Sequence, residues 1–165
     1  MTISHALISL EQRFADGILR STKRVELRRR PMRLELGTTI WMYVKVPVGK
    51  VIGSAQVHSM HELAPSTLWR RYGDVSGLAR GEFYDYFSGL SKGFIVVLTN
   101  PKRLSEPVSL DQLRELNGAF QPPQFFQHLA NDGPFVSAFT REVSEHQAPR
   151  ARDQQELQFQ GLCAA

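Results

Sequence analysis

At 165 residues, with 42% hydrophobic and 22% charged side chains, the chain has the size and balance of a single globular domain able to bury a core. Its one cysteine, Cys163, excludes an internal disulfide, and no His/Cys spacing suggests zinc. No run approaches the ~18 apolar residues of a membrane-spanning helix, and residues 1–10 lack the basic start and cleavage site of a secretion signal, so the expectation is a cytoplasmic protein with no membrane partner and a modest net charge of +4.

Residues 6–10 read as a short buried strand. Ser9 is the expected N-cap of a helix over 10–20, with Leu10, Phe14 and Ile18 forming its apolar face. Residues 23–28 then alternate as a half-buried strand, Lys23, Val25 and Leu27 to one side, Arg24, Glu26 and Arg28 to the other. Pro31 and Gly37 mark a turn region. Residues 39–46, rich in β-branched and aromatic side chains, form the clearest strand, and the turn at 47–50 leads into a second one over 50–61, making a hairpin. Gly53 within it suits a bulge or the close approach of another backbone. Pro65 opens a short helix carrying Leu68 and Trp69 and ending near Gly73. A loop at 74–76 leads to a helix over 79–88, stopped by Gly89.

Residues 92–99 read as a buried strand, and 111–117 and 123–130 as short helices, the latter opened by Pro122 and Pro123. From 140 onward the pattern weakens. The expectation is one domain over 1–139 and a flexible tail over 140–165, with a short helix at 152–159. Short helices inserted among strands predict an α+β fold, a small mixed β-barrel with short flanking helices, rather than a doubly wound sheet.

The charge is concentrated. Residues 20–33 contain Arg20, Lys23, Arg24, Arg28, Arg29, Arg30 and Arg33 against the single acid Glu26, a local +6 in a chain whose total is +4. A patch of this kind points to an anionic, phosphate-bearing partner.

The order of elements, with Lys23, Glu26 and Arg28 after the first helix, a hairpin led by Gly37, the run Gly49-Lys50-Val51-Ile52-Gly53, and a strand from Lys92-Gly93-Phe94, resembles the ASCH domain, a branch of the PUA-like superfamily. Its signature Gly-x-Lys-x-x-Glu-x-Arg is matched at Lys23, Glu26 and Arg28, while Ser21 stands at the glycine position. The resemblance covers roughly residues 4–130. It implies a closed or nearly closed barrel with a cleft beside the motif. It also implies an RNA or single-stranded nucleic-acid partner, including modified nucleotides; proteins of this shape are also called transcriptional regulators. Some branches are amidohydrolases on acylated cytidine and others ribonucleases; the amidohydrolases carry threonine where this chain has Glu26, so that chemistry is not carried over.

The leading expectation is therefore a nucleic-acid-binding module with a basic cleft, contacted by Lys23, Arg24, Glu26, Arg28, Arg30, Tyr43, Lys45 and Lys50, with no cofactor and no metal. The alternatives are a hydrolase using Lys23 and Glu26 as acid and base, and an interaction domain for an acidic protein. One geometric condition attaches to the motif. In a regular strand Lys23 and Glu26 point to opposite faces, so they share a site only if Lys23 lies in the turn before the strand. Arg28, Arg29 and Arg30 cannot all serve one ligand for the same reason. Trp41, Tyr43, Trp69 and Tyr84 are candidates to stack on a base, against the commoner role of aromatics in a core.

Overall fold

The structure is a computed structural model and describes residues 3–147. Its elements run β1 (His5–Leu10), α1 (Gln12–Leu19), β2 (Val25–Arg28), β3 (Thr39–Val44), β4 (Lys50–Leu63), α2 (Pro65–Tyr72), a 3-10 turn (Gly73–Val75), α3 (Arg80–Tyr86), β5 (Gly93–Ser109), α4 (Leu110–Leu116), β6 (Phe126–Leu129) and α5 (Pro134–Gln147). The expected tail boundary at 139/140 falls inside α5, and the helix expected over 152–159 and Cys163 lie outside the described residues.

The strands form one mixed sheet in the order β2-β5-β4-β3-β1-β6. β1 runs parallel to β3, and every other pair is antiparallel. The α+β class stands, but the sheet is not closed into a barrel. Its edge strands β2 and β6 are only four residues each and share no ladder. A side chain bridges the seam instead, where Arg28 Nη1 of β2 donates to the Phe125 carbonyl just before β6, 3.3 Å.

Period-2 alternation places the core on both faces. Ala6, Ile8 and Leu10 of β1, Ile40, Met42 and Val44 of β3, and Phe94, Val96 and Leu98 of β5 share one apolar layer with Ala15 and Ile18 of α1. Leu7, Trp41, Tyr43 and Val51 face the other way, onto α4 and α5 through Leu113, Val136 and Phe139. Val25, Leu27 and Ile95 meet Leu68 of α2, Phe83 of α3 and Phe87 just after it on that same second face. Burying each large apolar side chain contributes ~1.5–3 kcal/mol, and a sheet covered on both faces explains why β1 and β3 are buried along nearly their whole length.

Gly53 answers the expectation attached to it. A Cβ there would lie 2.6 Å from the Lys102 carbonyl oxygen and 2.7 Å from Leu19 Cδ2, so only glycine lets α1 and β5 close on β4. The β4–β5 register shifts on both sides of this region.

Four local readings are corrected. Ser9 does not cap α1: Glu11 holds the N-cap without a side-chain bond, and Ser9 Oγ donates to the Pro123 carbonyl, 2.6 Å. Residues 126–129 are a strand, not part of a helix, because they complete the free edge of β1. The strand expected to stop at Thr99 continues to Ser109; Asn100 takes φ +51° and, with Pro101, forms a bulge between the pairs Gln56–Thr99 and Ser54–Lys102. Finally, α5 extends well past Phe139, anchored by Val136 and Phe139.

Candidate functional site

Lys23 lies before β2, as the shared-site condition requires. Ser21 takes the left-handed conformation, φ +61°, and turns the chain sharply after α1. Thr22 and Lys23 both donate backbone N–H bonds to the Gly17 carbonyl, 3.0 Å each. The lysine stem then passes between two glycines: a Cβ on Gly17 would stand 3.1 Å from Lys23 Cβ, and one on Gly77 3.1 Å from Lys23 Cδ. Ser21 occupies the glycine position of the signature, and its positive φ is the reason glycine belongs there.

The side chain ends among fixed partners and is only 3% exposed. Lys23 Nζ donates to the Ser76 carbonyl, 2.6 Å, stands 3.8 Å from Glu26 Oε2, and lies over the Phe14 ring, 4.9 Å from its centroid. Ser76 is itself held, its hydroxyl donating to the Gly73 carbonyl at 2.7 Å and accepting from the Leu78 N–H at 3.2 Å. Burial lowers the lysine's pKa from its ordinary value, partly offset by the attraction of Glu26.

Glu26 pairs across the ladder with Val96, so it points to the face that α1 covers. Its Oε1 lies 3.1 Å from Arg28 Nη2, close but not aligned as a hydrogen bond. Arg28 Nη1 is used on the Phe125 carbonyl, while Nε and Nη2 are buried without an acceptor. Beside them Tyr86 donates its hydroxyl to the Leu27 carbonyl, 2.9 Å, and burial raises its pKa, as does the nearby Glu26 carboxylate.

These groups line a cleft of about 400 Å³ between α1, β2 and α3. Its charge is balanced rather than basic. Arg13, Lys23, Arg28 and Lys45 face Glu11, Glu26, Glu82 and Asp85, and at the rim Arg13 is paired with both Glu82, 3.0 Å, and Glu11, 3.4 Å.

Of the expected contact residues, Lys23, Glu26, Arg28 and Lys45 line this cleft. Arg24 is exposed and donates back to the Ser21 carbonyl, 3.2 Å. Arg30 lies next door, over the Phe125 ring at 5.2 Å. Tyr43 is 2% exposed and belongs to the layer of Trp41 and Phe139, on the opposite sheet face from Glu26. Lys50 is exposed at the start of β4, opposite Ser109. Trp41, Trp69 and Tyr84 pack against Phe139 or Phe83 and do not line the cleft. The aromatics that do are Phe14, which the helical spacing assigned to the core, and Tyr86, which comes with Glu82 and Asp85 from α3. The acidic residues spaced along residues 79–88 were the available signal for that wall.

The described residues thus form an α+β domain, an open mixed sheet with helices on both faces and with Lys23, Glu26 and Arg28 on the floor of a cleft. No family model matches the chain. The chain is 40% identical over 127 residues, 77% of its own length and 85% of the relative's, to an ASCH domain-containing ribonuclease of Zymomonas mobilis. The crystal structure of ASCH from Z. mobilis superposes with a TM-score of 0.75 at 35% identity, covering 86% of this chain and 94% of that one. A serine-to-alanine variant of that protein superposes with a TM-score of 0.77 at 36% identity, covering 83% and 97%. The chain belongs to the ASCH domain family. The fold extends further: the N-terminal domain of Staphylothermus marinus McrB superposes with a TM-score of 0.55 at 13% identity, covering 83% of this chain and 93% of that one.

Proposed function

We propose that this protein binds single-stranded RNA and that the cleft above Lys23, Glu26 and Arg28 receives one nucleotide of the strand. The observation that carries the reading is the row of cation, carboxylate and cation buried at the cleft floor, with Arg28 Nε and Nη2 lacking acceptors. Burying such groups is costly unless all their bonds are made, and a nucleobase edge, with donors and acceptors side by side, supplies what is missing. The kinship with a protein named as a ribonuclease supports RNA as the polymer.

The balanced charge makes the cleft a reader of a base more than a clamp for phosphates. Affinity would then vary gently with salt: two phosphate contacts give a slope of log K against log[salt] of about −1.4 for a single strand. The test is fluorescence anisotropy with labelled 2′-O-methyl RNA oligomers, which bind but cannot be cut at the 2′-oxygen. Arg28→Ala is expected to weaken binding about tenfold or more. Undiminished binding by that variant overturns the reading.

One observation favours cleavage by the same site: the lowered pKa of Lys23 brings its neutral, proton-accepting form closer to physiological pH. In RNA transphosphorylation a base takes the 2′-hydroxyl proton, that oxygen attacks phosphorus, and the 5′-oxygen departs with a proton from an acid. Lys23 and Glu26 would divide the acid and base roles, with Arg28 facing the developing negative charge. Wild-type protein would cut unmodified RNA and leave the 2′-O-methyl form intact. Cutting that survives Lys23→Ala removes this mechanism while leaving the binding proposal in place.

A further inference from the structure

A second cavity of about 420 Å³ adjoins the cleft and shares Arg28 and Tyr86 with it; Arg29, Arg30, Leu90 and Phe125 complete its lining. The three consecutive arginines have separate roles there. Arg29 is consumed by structure: its guanidinium donates to the carbonyls of Tyr86 and Ser88 at the end of α3. Arg28 stands in the wall between the two cavities. Arg30 is exposed, and among the described residues no carboxylate lies within ion-pair reach of it. The guanidinium carbons of Arg28 and Arg30 lie 5.5 and 5.2 Å from the centroid of the half-buried Phe125 ring.

In contrast to the balanced cleft, the lining of this shelf carries three guanidiniums and no acid. It combines the two features that hold one further unit of a single strand: an unpaired cation for a phosphate, and a flat aromatic or guanidinium surface for a base. We propose that the shelf is a second nucleotide subsite, in which Arg30 holds the phosphodiester linking it to the nucleotide in the cleft and the second base stacks on the Arg30–Phe125 pair. The inference rests on the cleft taking the first nucleotide, and it adds a footprint of at least two nucleotides and a direction for the strand, from the cleft across Arg28 to the shelf.

The experiment compares 2′-O-methyl nucleosides, which carry no phosphate, with 2′-O-methyl dinucleoside monophosphates by calorimetric titration of wild type, Arg30→Gln and Phe125→Ala. In the wild type, extension from the nucleoside to the dinucleotide is expected to tighten binding about tenfold. Arg30→Gln, a surface change that leaves packing intact, is expected to abolish most of that gain while the affinity for the phosphate-free nucleoside stays the same. Phe125→Ala is the second probe, read only on protein whose melting curve remains cooperative. A dinucleotide gain undiminished in Arg30→Gln, or no gain in the wild type, overturns the subsite and leaves the cleft reading standing. Nucleosides that fail to bind, with dinucleotide binding still sensitive to Arg30→Gln, overturn the cleft reading and keep the shelf. No binding of either ligand overturns both.

Discussion

Lys23 Nζ stands 3.8 Å from Glu26 Oε2, although the two residues would face opposite ways on a regular strand. The pair meets because the chain enters β2 only at Val25, so that Lys23 is carried by the turn and Glu26 by the strand. The lysine is nearly as buried as the apolar core, and the penalty of charging it there has measurable consequences.

The first concerns pH. Burial lowers the pKa of Lys23 in the folded state, so the unfolded chain binds the proton more tightly. The charging penalty is fully present below the folded value and is relieved as pH rises through it toward the unfolded value near ~10.4. Unfolding free energy should therefore gain an upward contribution across that window. Comparing urea unfolding of wild type and Lys23→Met from pH 7 to 10 checks it: the difference between them should shrink as pH rises, and a constant difference would contradict the assignment.

The second concerns the turn. Ser21 holds φ +61°, a conformation that costs a non-glycine residue about 1–2 kcal/mol. Ser21→Gly removes that strain at an entropic cost of about 0.5–1 kcal/mol. The variant should be more stable by up to about 1 kcal/mol, seen as a rise in Tm of a few degrees, with RNA binding unchanged. A fall in Tm would show that the serine contributes something beyond its backbone.

The third concerns packing. Gly53→Ala places a methyl group 2.6 Å from the Lys102 carbonyl oxygen, which is backbone and cannot step aside. Overpacking of this kind costs about 1–3 kcal/mol, or roughly 2–4 °C of Tm for each kcal/mol at this chain length. Because Leu19 at the end of α1 is the other atom in the way, hydrogen exchange in α1 should quicken as well.

The fourth concerns acid. Trp41 Nε1 donates to His5 Nδ1, 3.1 Å, which requires that nitrogen to be unprotonated, and burial lowers the pKa of His5. A depressed histidine pKa contributes stability that is complete above the unfolded value near ~6.5 and is lost as pH falls through the folded one. Tryptophan fluorescence should report a transition there in the native protein, absent in His5→Phe.

The parts of the fold legible in the sequence were those set by local chemistry. The β3–β4 hairpin announces itself by β-branched residues and a Pro/Gly turn, and α2 by Pro65. Where the structure departs, a distant partner decided the outcome. Phe126, Gln127, His128 and Leu129 have no strong preference of their own and become strand because β1 offers them an edge. Asn100-Pro101 has the chemistry of a turn, yet β4 on one side holds β5 together through a bulge. No helix was expected where α5 lies: Val136, Phe139 and Val143 share a helical spacing, but the polar composition around them hides it. For the site, the Lys-Glu-Arg spacing was readable and so was the need for a turn. The fate of the charge run was not, since Arg29 is committed to carbonyls at the end of α3, and the acids that balance the cleft come from segments far away in sequence.

The strand order also bears on how the chain is made. β1, synthesised before the other five strands, lies between β3 and β6. It can pair with β3 early but waits for residues 126–129 to cover its other side. At a synthesis rate of about 5–20 residues per second, this leaves one backbone edge of β1 unpaired for roughly several seconds. A nascent chain stalled before residue 126 would present that edge to its neighbours, so the interval before β6 emerges is when this protein is most exposed to aggregation and to chaperone capture.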